Sequence, residues 1–242
     1  MEQMDFIREC RRIFDVNRLP CTEEQAGRFF ALTERMIEVN RSMNLTAITE
    51  EKAVILRHYV DSCAIAAHIP QGARVIDVGC GAGFPTLPLA IARPDLQITA
   101  LDGTAKRIAY VRDTAELLGL DNVTAVAGRA EEYAVNPAYR EKFDVVTARA
   151  VAGLPVLSEL CLPFARVDGK MIAMKSQRVE EELREAENAI SLCGGGAVEV
   201  CFSDITENGV EFERRALVLI EKRKNTPKIY PRHFSKISKK PL

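Results

Sequence analysis

Between residues 73 and 175, short β-branched runs take turns with helical stretches. No other feature of the chain constrains its fold as strongly. The runs read ARVIDVG, LQITALD, NVTAVAG, FDVVTARA and GKMIAMK, and the stretches between them read LPLAIAR, TAKRIAYVRDTAELLG and GLPVLSELCLPFA. VEEELREAENAISLC follows the last run. Strands separated by helices of this length form βαβ units, so the chain is α/β with a mainly parallel sheet and helices on both faces. Two further runs, GAVEVCF and RRALVLIEK, are joined only by the turn-rich DITENG. They are expected to close the sheet with an antiparallel hairpin at one edge.

The segment before the first strand has a different texture. Phe6, Ile7, Cys10, Ile13 and Phe14 recur at helical spacing, and Thr22 followed by Glu23, Glu24 and Gln25 reads as the N-cap of a second helix running to about Asn40. A third helix is expected from Glu50 to His68, ended by Pro70 and Gly72. The expected organisation is one integrated domain: a helical cap over 1–70, a ligand-binding core over 71–224 and a basic tail over 225–242. Hydrophobic residues make up 47% of the 242, enough for a sizeable core, and no apolar run reaches the length of a membrane span. The start, MEQMDFIREC, has acids and no apolar signal core. Seven scattered cysteines (10, 21, 63, 80, 161, 193 and 201) show neither C-x-x-C nor metal spacing. They read as buried small hydrophobes in a reducing cytoplasm, with no metal site.

The turn leaving the first strand reads DVGCGAGFP. Ligands of open α/β sheets bind at the carboxyl ends of strands, and glycine there lets a ligand approach the backbone. Gly79, Gly81 and Gly83 are spaced G-x-G-x-G, with Phe84 where a dinucleotide loop continues. Lys and Ser/Thr are absent at P-loop spacing, and Asp77 would repel a pyrophosphate. S-adenosylmethionine, which is cationic and carries no phosphate, fits better. Asp102 ends the second strand, where a carboxylate accepts from both ribose hydroxyls. Glu131, in GRAEE after the third strand, could stand near the expected adenine edge, although taken alone a helix-start acid favoured by the dipole is the better reading.

The fourth strand ends in TARAV, with neither an Asn/Asp-Pro-Pro-aromatic motif nor a cysteine nucleophile. It offers Arg149, which stays protonated and is no general base, but which holds phosphates, carboxylates or guanine edges. An acceptor that needs no deprotonation, such as guanine N7, suits a site that works by alignment. Charge points the same way. From Arg214 to Leu242 there are ten Lys/Arg against one acid, a segment of +9 in a chain of net −1. This is either a localised polyanion site or a solvated terminus.

The chain resembles the bacterial 16S ribosomal RNA guanine-N7 methyltransferase family, also called glucose-inhibited division protein B. The resemblance runs through NLTAI, RHYVDS, DVGCGAGFPTLPLAI, LDGTAKRIAYV, GRAEE, TARAV and KNTPKIYPR, in the family's order. It implies a class I, Rossmann-like methyltransferase fold with a seven-stranded sheet and a helical N-terminal extension. It also implies methylation of a guanine in the 530 loop of 16S RNA, conventionally position 527, on the RNA, the 30S subunit or an assembly intermediate. By motif match Gly79, Phe84, Ala130, Glu131 and Arg149 would contact S-adenosylmethionine, with Asp77 at its methionine end and Asp102 at its ribose. Thr86, Gly103, Ser176 and the run RHFSKIS depart from the family's usual residues.

N7 faces the deep, narrow major groove of A-form RNA, so the target base must lie in a loop or be unstacked. Candidate RNA contacts are Arg57, His58, Lys175, Arg223, Lys228, Arg232, Lys239 and Lys240. Lys106 and Arg107 read as helix surface and Tyr110 as core. A methyltransferase of small molecules or proteins, and a non-catalytic RNA-binding module, remain the alternatives. Removal of 225–242 is expected to abolish activity on RNA and to spare cofactor binding. Nothing in the sequence points beyond a monomer.

Overall fold

In the computed structural model, which describes residues 1–176, 179–208 and 210–242, the sheet expected from the alternation is present. Its seven strands are β1 (Arg74–Val78), β2 (Gln97–Asp102), β3 (Val123–Ala127), β4 (Phe143–Arg149), β5 (Ala165–Ser176), β6 (Gly195–Glu207) and β7 (Val210–Lys222). They lie in the order β3-β2-β1-β4-β5-β7-β6. The first five strands are mutually parallel, β7 is antiparallel to β5, and β6 pairs with β7 as the edge hairpin. The chain leaves β1 toward β2 on one side, and β4 lies on the other. The switch point between β1 and β4, with Asp77 opposite Thr147, is therefore where a ligand crevice opens.

Alternate residues of each strand face opposite sides, which divides the core in two. Val75, Ile98, Val145 and Ile172 face one apolar layer, and Ile76, Leu101, Val146 and Ala173 face the other. The first layer holds α5 (Thr86–Ala92) and α6 (Ala105–Leu117), with the N-terminal helices α1 (Gln3–Val16) and α2 (Glu23–Met43). The second holds α7 (Ala130–Tyr133), α8 (Leu154–Cys161), α9 (Glu180–Leu192) and α10 (Phe234–Lys239). Thr22 and Gln25 form a reciprocal capping box that starts α2, as the spacing predicts.

The third helical stretch differs from a uniform helix. It consists of α3 (Glu51–Val54), a π-helical turn (Ile55–Val60) and α4 (Asp61–Cys63), followed by a 3₁₀ turn at Ala66–His68. Its Tyr59 stacks on Phe29 of α2, with centroids 4.7 Å apart, and its hydroxyl meets Thr33 Oγ1 at 2.6 Å. The cap thus holds this stretch against the carboxyl end of the sheet. The C-terminal residues pack inward: Thr226, Tyr230 and Ile237 are buried. Among the described residues no helix is long and apolar enough to cross a membrane.

Candidate functional site

Two cavities open at the carboxyl ends of the central strands. The first, of about 240 Å³, lies beside the loop after β1 and is lined by Gly79, Asp102, Gly103, Thr104, Gly128, Arg129, Ala130 and Glu131, among others. Most of the lining segments directly follow a strand, which is why the spacing of the motifs exposes them in the sequence; Leu160 of α8 and Phe234 of α10 are the exceptions. The loop glycines all have positive φ, +74° at Gly79, +55° at Gly81 and +83° at Gly83, a region that side chains disfavour. Their surroundings differ. A Cβ on Gly83 would sit 2.7 Å from Leu87, so this glycine serves helix packing. A Cβ on Gly79 would meet Val151 at 2.6 Å, and one on Gly81 would meet nothing nearer than 4.0 Å.

Asp102 accepts the N–H of Gly81 at 3.0 Å and that of Thr104 at 2.7 Å. A carboxylate has about four acceptor positions, so capacity for two hydroxyl donors is left. The ionisable wall residues are Asp102, Glu131 and Arg129, with Arg129 Nε 3.5 Å from Glu131. An acidic, glycine-edged cavity of this kind fits a cationic nucleoside and disfavours a pyrophosphate.

Asp77 does not reach the wall. It lies buried behind the loop, where Oδ2 accepts from Thr86 Oγ1 at 2.6 Å and Oδ1 from Thr147 Oγ1 at 3.2 Å. Burial pushes its carboxyl up to about 6, against the opposing pull of these hydroxyls and of Arg149. Thr86, a departure from the family's usual glycine, is therefore what anchors Asp77.

The second cavity, about 300 Å³, is lined by Arg57, His58, Asp61, Arg149, Lys175, Glu182 and Arg215, among others. Arg149, at the end of β4, donates to Asp61 Oδ2 at 2.8 Å and to the carbonyl of Arg57 at 3.2 Å. Asp61 is buried, and its Oδ1 also lies 3.2 Å from Arg215 Nε. The π-helical turn brings Arg57, His58 and Asp61 to this end of the sheet; such turns recur at functional sites. Lys175 bridges Glu182 at 2.7 Å and the carbonyl of Ala152 at 2.9 Å, and the same Glu182 oxygen accepts the N–H of Leu154.

Phe84 is buried against two residues of the second cavity. His58 stacks on it at 4.3 Å, and Arg149 lies over its ring at 5.3 Å. Burial, with Arg149 nearby, lowers His58 to about 3, so the imidazole is neutral at physiological pH. Its Nε2 meets Thr46 Oγ1 at 3.0 Å.

The structure thus brings Gly79, Asp102, Ala130 and Glu131 to one cavity, and Arg57, His58, Arg149 and Lys175 to the other. Ala150 and Val151, consecutive after β4, line the second and the first cavity respectively. Phe84 packs against His58 and Arg149, and Asp77 and Gly83 support the loop from behind. Asp61, Glu182 and Arg215 were not singled out from the sequence. Asp61 stood within the quoted RHYVDS, but Arg215 meets the site through its pairing with Ser176 across β5 and β7, which no local pattern encodes.

The C-terminal charges are not a free arm. Arg232 forms a two-pronged pair with the fully buried Glu159, at 2.6 and 2.9 Å. Lys222 is buried, donating to Leu162 O and Thr226 Oγ1, and burial lowers it to about 8. Arg223 pairs with Glu221, and Arg214 with Asp204. Lys228, Lys239 and Lys240 are exposed. Lys106 and Arg107 are exposed on α6, and Tyr110 is buried in the core.

A family model described as rRNA small subunit methyltransferase G matches residues 25–209. Proteins named ribosomal RNA small subunit methyltransferase G are similar along nearly all their length. The one from Lactobacillus delbrueckii subsp. bulgaricus is 45% identical over 227 residues, 92% of each chain. That from Brevibacillus brevis is 45% identical over 222 residues, 91% of each chain. That from Clostridium botulinum is 39% identical over 235 residues, 96% of this chain and 97% of the relative. Among solved structures, a SAM-dependent O-methyltransferase from Thermotoga maritima aligns with a TM-score of 0.55 and 16% identity, covering 81% of this chain and 73% of that one. A precorrin-6y C5,15-methyltransferase from Geobacter metallireducens aligns with a TM-score of 0.51 and 16% identity, covering 75% and 92%. These two likenesses speak to the fold alone, a class I methyltransferase architecture. From the family model and the relatives together, the chain belongs to the rRNA small subunit methyltransferase G family.

Proposed function

We propose that this protein is a cytoplasmic, monomeric enzyme that methylates N7 of a guanine in the 530 loop of 16S ribosomal RNA, at conventional position 527, with S-adenosylmethionine as donor. The observation that carries this reading is the adjacency of the two cavities, which meet at the consecutive residues Ala150 and Val151 after β4. The acidic, glycine-edged one suits the donor, and the cationic one suits an RNA acceptor.

S-adenosylmethionine, when bound, supplies a methyl carbon on a sulfonium: the acceptor's lone pair forms the new C–N bond as the C–S bond breaks toward sulfur. Asp102 would hold the ribose and Gly79 the close backbone approach, while Ala130 and Glu131 flank the base. Asp77 supplies negative charge from behind the loop.

On the acceptor side no group among the described residues is poised as a general base. Arg149, Arg57, Arg215 and Lys175 are cations, Asp61 is shared by two arginines, and Glu182 is taken up by Lys175. His58, lowered to about 3, is too weak a base for work near neutrality. That set suits N7, whose in-plane lone pair is free at neutral pH, and disfavours an acceptor that must first lose a proton. The cations are suited to the phosphates of an unstacked loop, giving binding that weakens steeply with salt.

The test is a mass-spectrometric map of modified guanines in 16S RNA from cells with and without the protein. Loss of a single 7-methylguanine in the 530 loop is the expected result. An unchanged map refutes the proposal.

A further inference from the structure

One wall of the cofactor cavity comes from a part of the chain that no cofactor motif covers. Phe234, on α10, lines it beside Arg129 of the segment after β3. The guanidinium of Arg129 lies 4.8 Å from the centroid of its ring, and Ala130 and Glu131 follow directly on the chain.

The ring is held in place from several sides. Ile237, on the same short helix, is fully buried. Arg232, two residues before the ring, is fastened to buried Glu159. His233 caps the helix, its Nδ1 accepting the Ser235 N–H at 3.3 Å. Arg140 ties down the approach by donating to the carbonyls of Thr226, Pro227 and Tyr230. Phe234 is itself only partly buried and borders the cavity, so its packing against the core leaves part of it facing open space.

The cavity is therefore polar at Asp102, where hydroxyls are accepted, and flat and apolar at Phe234. A sugar and a base ask for those two surfaces in that combination. We propose that Phe234 is a specificity-determining residue that covers the purine of the bound nucleoside, so that the C-terminal segment is a built part of the cofactor site. This rests on the reading of the cavity as the S-adenosylmethionine site.

The test is calorimetric titration of the full chain with S-adenosylhomocysteine and, separately, with adenosine. Phe234→Ala is expected to weaken both ligands by the same factor, about tenfold, with a melting temperature close to that of the unchanged protein. Phe234→Tyr, which keeps the aromatic face, is expected to restore binding. Phe234→Leu keeps apolar bulk for packing against the core and removes that face. It is expected to bind weakly while melting normally, which keeps the proposal open to refutation even if the alanine variant is poorly folded. Ile237→Ala, which loosens the helix without touching the cavity, is expected to weaken binding less than Phe234→Ala.

Affinity within twofold of the unchanged protein in Phe234→Leu overturns the proposal. So does a loss seen with S-adenosylhomocysteine and not with adenosine. Failure of the unchanged protein to bind S-adenosylhomocysteine refutes the cofactor reading instead, and the two failures are distinct.

Discussion

The two cavities that meet after β4 are built on different plans. The cofactor cavity is made largely of backbone: glycine turns and short loops, each following a strand of the parallel sheet. The acceptor cavity is made of side chains that six separate segments bring together, held by ion pairs around Asp61 and Glu182. The first depends on what is absent at three positions; the second depends on charges balancing one another. Disturbing the first should therefore cost binding, and disturbing the second should cost the fold and the chemistry.

The sharpest way to break that contrast is to remove one acid from each. Asp61→Ala leaves Arg149 and Arg215 without their shared buried partner, and is expected to lower the unfolding free energy by about 3–5 kcal/mol. Glu131→Ala removes an acid whose one ion-pair partner among the described residues, Arg129, is half exposed at 3.5 Å. It should cost no more than about 1 kcal/mol. Urea denaturation of both variants decides, and equal losses would remove the distinction.

Next in size is Arg149→Ala. If Arg149 aligns the acceptor, turnover on 30S particles should fall at least about 100-fold, while the affinity for S-adenosylhomocysteine stays within about threefold. A large change in that affinity would move Arg149 to the donor side, the other role the family resemblance implies for it. Asp102→Ala is the mirror experiment. If Asp102 accepts the ribose hydroxyls as proposed, the change removes that acceptor together with a support of the Gly81 turn, and binding of S-adenosylhomocysteine should weaken by about 1.5–3 kcal/mol. Stability should change little. Calorimetry and thermal melting read the two effects separately.

This difference in plan also explains what the sequence disclosed. The sheet was legible because a strand, a turn and a helix follow one another locally, and the cofactor cavity inherits that locality. Asp102, Ala130 and Glu131 could be placed by counting from strand ends. Asp61, Glu182 and Arg215 could not, because their meeting depends on a π-helical turn that breaks the 3.6-residue period and on the register of β7 against β5.

Charge counting misread the C-terminus for a related reason. A count cannot distinguish an exposed lysine from Lys222, which is buried, or a phosphate-binding arginine from Arg232, which neutralises Glu159. Removing 225–242 would take away Tyr230, Ile237 and the partner of Glu159, and with them part of the core. The truncation therefore does not isolate RNA binding, and single substitutions at Lys228, Lys239 and Lys240 are the cleaner probe. Salt-dependent loss of RNA affinity, with cofactor binding intact, is their expected signature.

The smallest expected effect concerns the charge behind the glycine loop. Asp77 is raised to about 6, so in the free protein it changes from neutral to ionised as pH climbs through that value. A cation in the cavity favours the ionised form. Affinity for S-adenosylmethionine should therefore rise between pH 5 and 7 and then level off, and Asp77→Asn should flatten the curve. A stability curve is a poorer readout, because two buried groups oppose each other there. Asp77, raised on folding, contributes stability below the ordinary carboxylate range that is lost as pH rises through about 6. His58, lowered to about 3, contributes stability above the ordinary imidazole value that is lost as pH falls toward 3. In the folded protein His58 stays neutral from pH 5 to 7, so the affinity curve over that interval is free of it. A flat curve in the unchanged protein would mean that Asp77 acts only by pinning the loop through Thr86 and Thr147, with no electrostatic part in holding the donor.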